Sequence, residues 1–386
     1  MPKAYSITAE AIAAERARVQ GNLTEFDASR VIRLDDLVLR PMGPHDVHLK
    51  VLTVSLEHNV DHAALADTVN IVELRGGKIY PGNSAVAEVI GVGGDVTRFK
   101  PGDIVVTHAN GEPDVYGFPL RIWAYDQPES VGWYAEEAMV GDWQILPAPL
   151  QCGLSLWQMA ALPLRGPTAW HLWRRGHDIF RAKVPREKLS RLNVLGFGGG
   201  VSELFLMAAQ AEGHRVFFCS GTPARCEHLA QEGIVPIDQR RFNRFAAAED
   251  VRNFTKEVRR LTSGEGMHIV CDMLRGQVFA AGVAALARGG VNVSAGWQLD
   301  KRLNYDSAAL SVRQITLDHV HLESIDGSAA SLALYGKVFR PTVHKEIYAF
   351  ADLPRALREM HLNTQTGIPI VRVAEEMPEA VRALIP

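Results

Sequence analysis

Gly196, Gly198, Gly199 and Gly200 cluster between an apolar strand-like stretch and a helix-like one in NVLGFGGGVSELFLMAAQA. Glycines let a backbone turn tightly and approach a ligand, and amides at a helix N-terminus attract anions. The pattern therefore predicts a turn that holds a dinucleotide pyrophosphate, with Val201 opening the helix. Ser202 stands where a helix-packing glycine is usual. The next strand, RVFFCSGTPAR, ends without the Asp or Glu that would bind ribose hydroxyls and repel a 2′-phosphate. Ser220, Gly221 and Thr222 leave space and hydroxyls there, and Arg225 offers charge-assisted hydrogen bonds to a phosphate. The expected cofactor is NADPH. The alternatives are a glycine turn that binds nothing and an arginine that is merely solvated.

Other groups have types suited to chemistry. Glu57, His58, Asp61 and His62 fall close together, and imidazole and carboxylate both bind divalent ions. His319 and His321 alternate in LDHVHLE, so on a strand both face one side, where hydrogen-bonded interior histidines are the plain explanation. Trp123, Trp133 and Trp143 could frame an apolar tunnel, although packing is the commoner use of tryptophan. Cys152, Cys219, Cys226 and Cys271 lack CxxC spacing and read as structural thiols.

The elements that must position these residues divide into two textures. The first half reads as short strands, DVHLKVLTVSL, SAVAEVIGVGGDV and DIVVTHA, broken by turn residues. From about Leu154 strands and helices alternate, which implies a parallel sheet. The tail from about Val338 returns to strand, helix and strand and could rejoin the first part. A length of 386 residues fits two domains, expected at 1–160 with 338–386, and at 161–337, packed around a shared cleft. The hydrophobic fraction of 47% and charged fraction of 22% are those of a compact fold. A net charge of −3 argues against nucleic acid or an anionic membrane as partner. The N-terminus lacks the apolar core of a secretory signal and no stretch approaches the ~20 apolar residues of a span, so a cytoplasmic location is expected.

VTRFKPGDIVV, GWYAEEAMVGDWQILPAP, LSLWQMAALPLRGPTAW, the GFGGG turn, LTSGEGMHIVCDMLRG and ALARGGVNVSAG together resemble the medium-chain dehydrogenase/reductase superfamily over nearly the whole chain. The resemblance implies an α/β protein: a GroES-like β-rich catalytic domain formed from both chain ends, a Rossmann cofactor domain between them, and hydride transfer in the cleft. It also implies a homodimer or homotetramer. Zinc-dependent members carry a cysteine after an early strand, a histidine in a GHE triplet and a four-cysteine lobe. Here the corresponding residues are Glu57 to Asp61, the triplet Gly82-Asn83-Ser84, and no cysteine before Cys152. The expectation is a zinc-free branch with no metal.

LRIWAYDQPESVGWYAE, YDSAALSVRQITLDHVH and the tail are similar to crotonyl-CoA carboxylase/reductase and related 2-enoyl-thioester reductases. In that family NADPH delivers hydride to the β-carbon of an enoyl thioester, on CoA or a carrier protein, and the enolate takes up carbon dioxide or a proton. Carboxylating members hold carbon dioxide with an asparagine, an aromatic-acid pair and a histidine. By position these fall on Glu57 (or, one residue on, His58), on Tyr125 with Asp126, and on His319. An ionised Glu57 would repel a developing carboxylate, whereas a carboxyl kept protonated by burial could protonate the enolate. Reduction with protonation is therefore expected over carboxylation. A zinc-free quinone or enone oxidoreductase and a non-catalytic nucleotide-binding protein are the alternatives.

Overall fold

The computed structural model describes residues 1–20, 22, 25–60, 63, 71–109, 111–296 and 303–386. The chain divides into two compact units, one of residues 1–164 with 323–386, the other Arg165–Leu322. The borders read from sequence were 160/161 and 337/338. Residues 323–337 are grouped with unit 1; there Leu332 packs into its core and the Gly336 backbone lies against the Cys152 carbonyl.

In unit 1, strands numbered in chain order β1 (Lys3–Thr8), β2 (Ile32–Asp36) and β4 (Lys78–Ile79) form a three-stranded sheet. A larger sheet runs β15 (Val343–Ala349), β16 (Ile368–Arg372), β3 (Asp46–Ser55), β5 (Ser84–Val92), β6 (Ile104–Thr107) and β8 (Ile145–Pro147), with β7 (Glu137–Gly141) also paired to β3. Both faces of this sheet are covered, so its strands are rich in Val, Ile and Leu. Val47, Leu49 and Val51 enter one core, Leu52 the other, and Val54 and Leu56 return to the first. A register shift between Val51 and Thr53 flips the alternation by one residue. Ser55 is paired in register with Ser84, which brings the turn after β3 beside the residues that precede β5.

Unit 2 is one parallel sheet. Its strands are β9 (Asn193–Phe197), β10 (Arg215–Ser220), β11 (Val235–Asp238), β12 (Met267–Asp272), β13 (Leu286–Ser294) and β14 (Thr316–His319), in the order β11-β10-β9-β12-β13-β14. Counted along the chain this is the doubly wound order 3-2-1-4-5-6, whose switch point lies between β9 and β12. Every residue of β9 and β12 is buried, as central parallel strands require. Helix α1 (Arg165–Lys183) precedes the sheet, α2 (Gly200–Ala211) connects β9 to β10, and α3 (Pro223–Gln231) connects β10 to β11. No helix among the described residues is long and apolar enough to cross a membrane.

Candidate active site

In unit 2 the glycine turn leaves β9 at the switch point, where ligands bind in open α/β sheets. Gly198 adopts φ +103°, and a Cβ there would lie 3.1 Å from Met273 Cβ, so only glycine fits between the turn and the loop after β12. Gly199 differs: a Cβ on it would meet no atom within 4 Å, so the space above the turn is open. Gly199 is also the N-cap of α2 and supplies no side chain to the first-turn amides. An open cradle over an uncapped helix N-terminus is the arrangement a pyrophosphate uses. Val201 is half-buried in that first turn.

Ser202 is fully buried, and its hydroxyl donates to the Phe197 carbonyl and lies 3.5 Å from Cys271 Sγ. Its Cβ sits 3.3 Å from where a Cβ on Gly196 would be, so Gly196 makes room for Ser202. β10 ends at Ser220, whose Oγ accepts the Thr222 N–H at 3.1 Å, and a Cβ on Gly221 would come no nearer than 3.6 Å to Gln239. Arg225 is already engaged: Nη2 donates to Glu203 Oε2 at 2.9 Å and the guanidinium lies 5.3 Å from the Phe218 ring centroid. Glu203 is 6% exposed in the first turn of α2, so Arg225 offsets a carboxylate that would otherwise repel an anion at the turn.

Unit 1 holds the second set of residues. Glu57 is 4% exposed, and its Oε1 accepts the Ser55 hydroxyl at 2.6 Å. Two residues on, the Asn59 amide donates to Asn83 Oδ1, and Asn59 Oδ1 accepts the Tyr125 hydroxyl at 3.4 Å. Asn83 Nδ2 donates in turn to the Trp123 carbonyl at 3.0 Å. The triplet around Asn83 is shaped by Gly82 at φ +116°, where a Cβ would lie 2.8 Å from the Tyr134 nitrogen. Arg75 clamps the Tyr125 segment, donating to the Tyr125 carbonyl at 2.7 Å and to the Ser130 hydroxyl and carbonyl at 3.2 Å each. Its burial pushes the guanidinium pKa down. Tyr125 is buried, but Asp126 is exposed and spends Oδ1 on the Ile122 N–H. Trp133 is fully buried and Trp123 is buried in the same core, and Trp143 is half-buried. Asp61 and His62 lie outside the described residues.

His319 belongs to unit 2, at the end of β14, exposed, with Nδ1 accepting Arg275 Nη2 at 2.9 Å. The protein covers the ring only in part, but the desolvation this brings holds its pKa below the ordinary value, and Arg275 pushes it the same way. Sequence reasoning missed Asn59, Asn83 and Arg275. The first two had a signal, since Asn83 occupies the triplet position of a superfamily metal ligand; Arg275 had none. Elsewhere His177, Glu212 and His214 bring ligand-type atoms within 4.8 Å of one another. His214 Nδ1 accepts the Leu192 N–H at 3.3 Å, which places the neutral ring's proton on Nε2, so that buried edge is a donor rather than a metal-binding lone pair. Burial, helped by His177 and three nearby arginines, takes the His214 pKa down to about 4, and those arginines also oppose a cation.

The alcohol dehydrogenase GroES-like domain matches residues 43–150, and the zinc-binding dehydrogenase domain matches residues 200–334. A crotonyl-CoA reductase of Streptomyces collinus is 24% identical over 391 aligned positions, covering 92% of this chain and 85% of the relative. A probable cinnamyl alcohol dehydrogenase of Medicago sativa is 30% identical over 57% of this chain and 61% of its own length. The solved structure of a 2-octenoyl-CoA carboxylase reductase with NADP and 2-octenoyl-CoA superposes with a TM-score of 0.82 at 20% identity, over 99% of this chain and 90% of that one. The doubly wound sheet, the glycine turn at its switch point and the GroES-like match agree, and the chain belongs to the medium-chain dehydrogenase/reductase superfamily of oxidoreductases.

Proposed function

We propose that this chain is an NADPH-dependent reductase of 2-enoyl thioesters that protonates the enolate rather than carboxylating it. The observation that carries the reading is the open cradle at Gly199 over an uncapped helix, followed by a strand that ends in Ser220 instead of an acid. These residues fit the cofactor. The turn from Gly196 to Gly200 and the first amides of α2, at Val201 and Ser202, would hold the pyrophosphate; Ser220, Gly221 and the remaining N–H edges of Arg225 would receive the ribose phosphate. NADPH, when bound, supplies hydride to the β-carbon of the alkene.

The chain's own residues handle the charge and proton that follow. Negative charge develops on the thioester oxygen, and a positioned N–H such as His319 Nε2–H stabilises it. The α-carbon then needs a proton. Glu57 is the buried carboxyl whose Oε1 receives the Ser55 hydroxyl, and a protonated Glu57 is the donor in this reading. A proton donor at this place also disfavours a carboxylated product, because it quenches the enolate before carbon dioxide can be captured. The names of the similar crotonyl-CoA reductases support the thioester class.

The test is NADPH absorbance on mixing the protein with crotonyl-CoA and longer enoyl thioesters, with and without bicarbonate plus carbonic anhydrase, products being identified by mass. The saturated thioester alone is expected. A carboxylated product overturns the role given to Glu57, and oxidation only with quinones or enones overturns the substrate class.

A further inference from the structure

Arg275, in the loop after β12, is 7% exposed, yet its backbone sits at φ +66°. That left-handed conformation costs a residue with a Cβ about 1 kcal/mol, and glycine or asparagine would adopt it more easily. The loop is built to enforce it. Asp272 Oδ1 accepts the N–H of Leu274 at 2.9 Å and of Arg275 at 3.0 Å, and Gly276 follows at φ +56°. What the strained position obtains is the reach of the guanidinium. Nε donates to the Gly296 carbonyl just beyond β13 at 2.9 Å, and Nη2 donates to His319 Nδ1 at the end of β14 at 2.9 Å. Nη1 is buried with no acceptor among the described residues. One side chain thus ties together the carboxyl ends of three adjacent strands, on the edge of the sheet where open α/β folds bind ligands.

The direction of the Arg275–His319 bond decides the chemistry of the ring. A guanidinium has only N–H donors and keeps its charge, so Nδ1 must accept through its lone pair. The neutral imidazole then carries its proton on Nε2. Other charged groups around the ring are few: Asp318, on the same strand, is held by Arg175 of α1 at 2.8 and 3.1 Å, and Asp272, at the end of β12, is committed through Oδ1 to the backbone. Both carboxylates pull the His319 pKa upward, but partial desolvation of the ring and Arg275 outweigh them and the net shift is downward.

We propose that Arg275 positions His319 for the reaction: by donating Nη2–H to Nδ1 it orients the ring and leaves Nε2–H as the edge offered to the substrate's thioester oxygen. This rests on the reading of the chain as an enoyl-thioester reductase. Arg275 is a positioning residue and touches no reacting atom. Its contribution is to keep the donor pointed at the oxygen on which charge appears, and to prevent the ring from turning its lone pair there instead.

The experiment follows the imidazole directly. Nitrogen NMR of the full, isotope-labelled protein, with His319 assigned by its loss in His319→Gln, reports tautomer and titration midpoint, while NADPH consumption with crotonyl-CoA reports turnover. In the wild type the Nε2–H tautomer is expected, with a midpoint below the ordinary imidazole value of about 6.5. Arg275→Met removes the donor at similar length. It is expected to mix the tautomers, raise the midpoint toward the ordinary value, lower kcat by about tenfold to a hundredfold and move the acid limb of kcat/KM to higher pH. Arg275→Lys, which restores a charged donor, is expected to recover part of the activity. An Nδ1–H tautomer in the wild type, or a midpoint unmoved in Arg275→Met, overturns the proposal. The wild-type titration decides it alone if the variant does not fold. Failure to reduce any enoyl thioester sinks the reaction reading instead, and the tautomer in the resting protein still decides the role of Arg275.

Discussion

The turn after β9 in unit 2 and the turn after β3 in unit 1 each end a buried strand, and each departs from its superfamily pattern in a different way. At the first, one helix-packing glycine has become Ser202, and the change is absorbed locally: the hydroxyl finds the Phe197 carbonyl, and the open space at Gly199 remains. At the second, the loop from Glu57 to Asp61 holds no cysteine and the triplet holds Asn83 in place of the superfamily histidine; the loop carries a carboxyl at Glu57, and Asn59 pairs with Asn83 and Tyr125. In the proposed reading the first site works through backbone amides, which any residue supplies if the backbone path is kept. The second works through side-chain groups, so its chemistry changes whenever they do. In that reading the nucleotide site therefore keeps its kind, whereas the reaction must be read from the new side chains.

The sharpest way to break this comparison is to disturb the backbone path. Gly198→Ala places a Cβ 3.1 Å from Met273 at φ +103°, a strain of about 1–3 kcal/mol, and the NADPH Kd from fluorescence titration is expected to rise on the order of a hundredfold. Gly199→Ala is the control: with nothing within 4 Å it should leave the melting temperature unchanged and still weaken NADPH, because its methyl occupies the cradle. Next in size is Glu57→Gln, which keeps the shape and removes the acid. It should lower kcat for thioester reduction by about tenfold to a hundredfold, with NADPH affinity untouched. Equal losses in both quantities would erase the distinction between the two turns.

How much of this was legible in the sequence follows the same division. The glycine spacing, the strand–turn–helix context and the missing acid after β10 are local signals, and the structure places Gly198 at a positive φ that only glycine accepts readily. The β-bulge in β3 was not legible, because a phase flip between Val51 and Thr53 looks like an ordinary apolar run when both faces are buried. Nor was the pairing of Asn59 with Asn83, which depends on the register of Ser55 with Ser84. The aromatic-acid pair also divides: Tyr125 is inside and Asp126 is exposed, since adjacent residues in a turn need not share an environment. Arg225 was visible as a charge, but its tie to Glu203 is a tertiary contact between two helices.

That tie gives a smaller effect. Arg225→Ala removes a charge-assisted bond, so the preference for NADPH over NADH, measured as a ratio of kcat/KM values, should fall about tenfold. An unchanged ratio would assign the guanidinium to Glu203 alone.

The smallest expected effect falls on Ser202, where the comparison is most exposed to refutation. Ser202→Gly restores the residue usual at this helix position. It deletes a buried hydroxyl that bonds the Phe197 carbonyl, and it places glycine inside a helix at a cost of about 0.5–1 kcal/mol relative to a residue with a Cβ. The carbonyl loses one of its partners, which adds about 1 kcal/mol. Urea unfolding should therefore show a stability loss of about 1–2 kcal/mol, with the denaturant dependence unchanged. NADPH affinity should move by less than about twofold, because the amides of the first turn keep their direction whichever side chain stands there. If affinity instead rises or falls about tenfold while stability holds, Ser202 acts on the ligand rather than on packing, and the cofactor turn would prove as dependent on its side chains as the turn after β3.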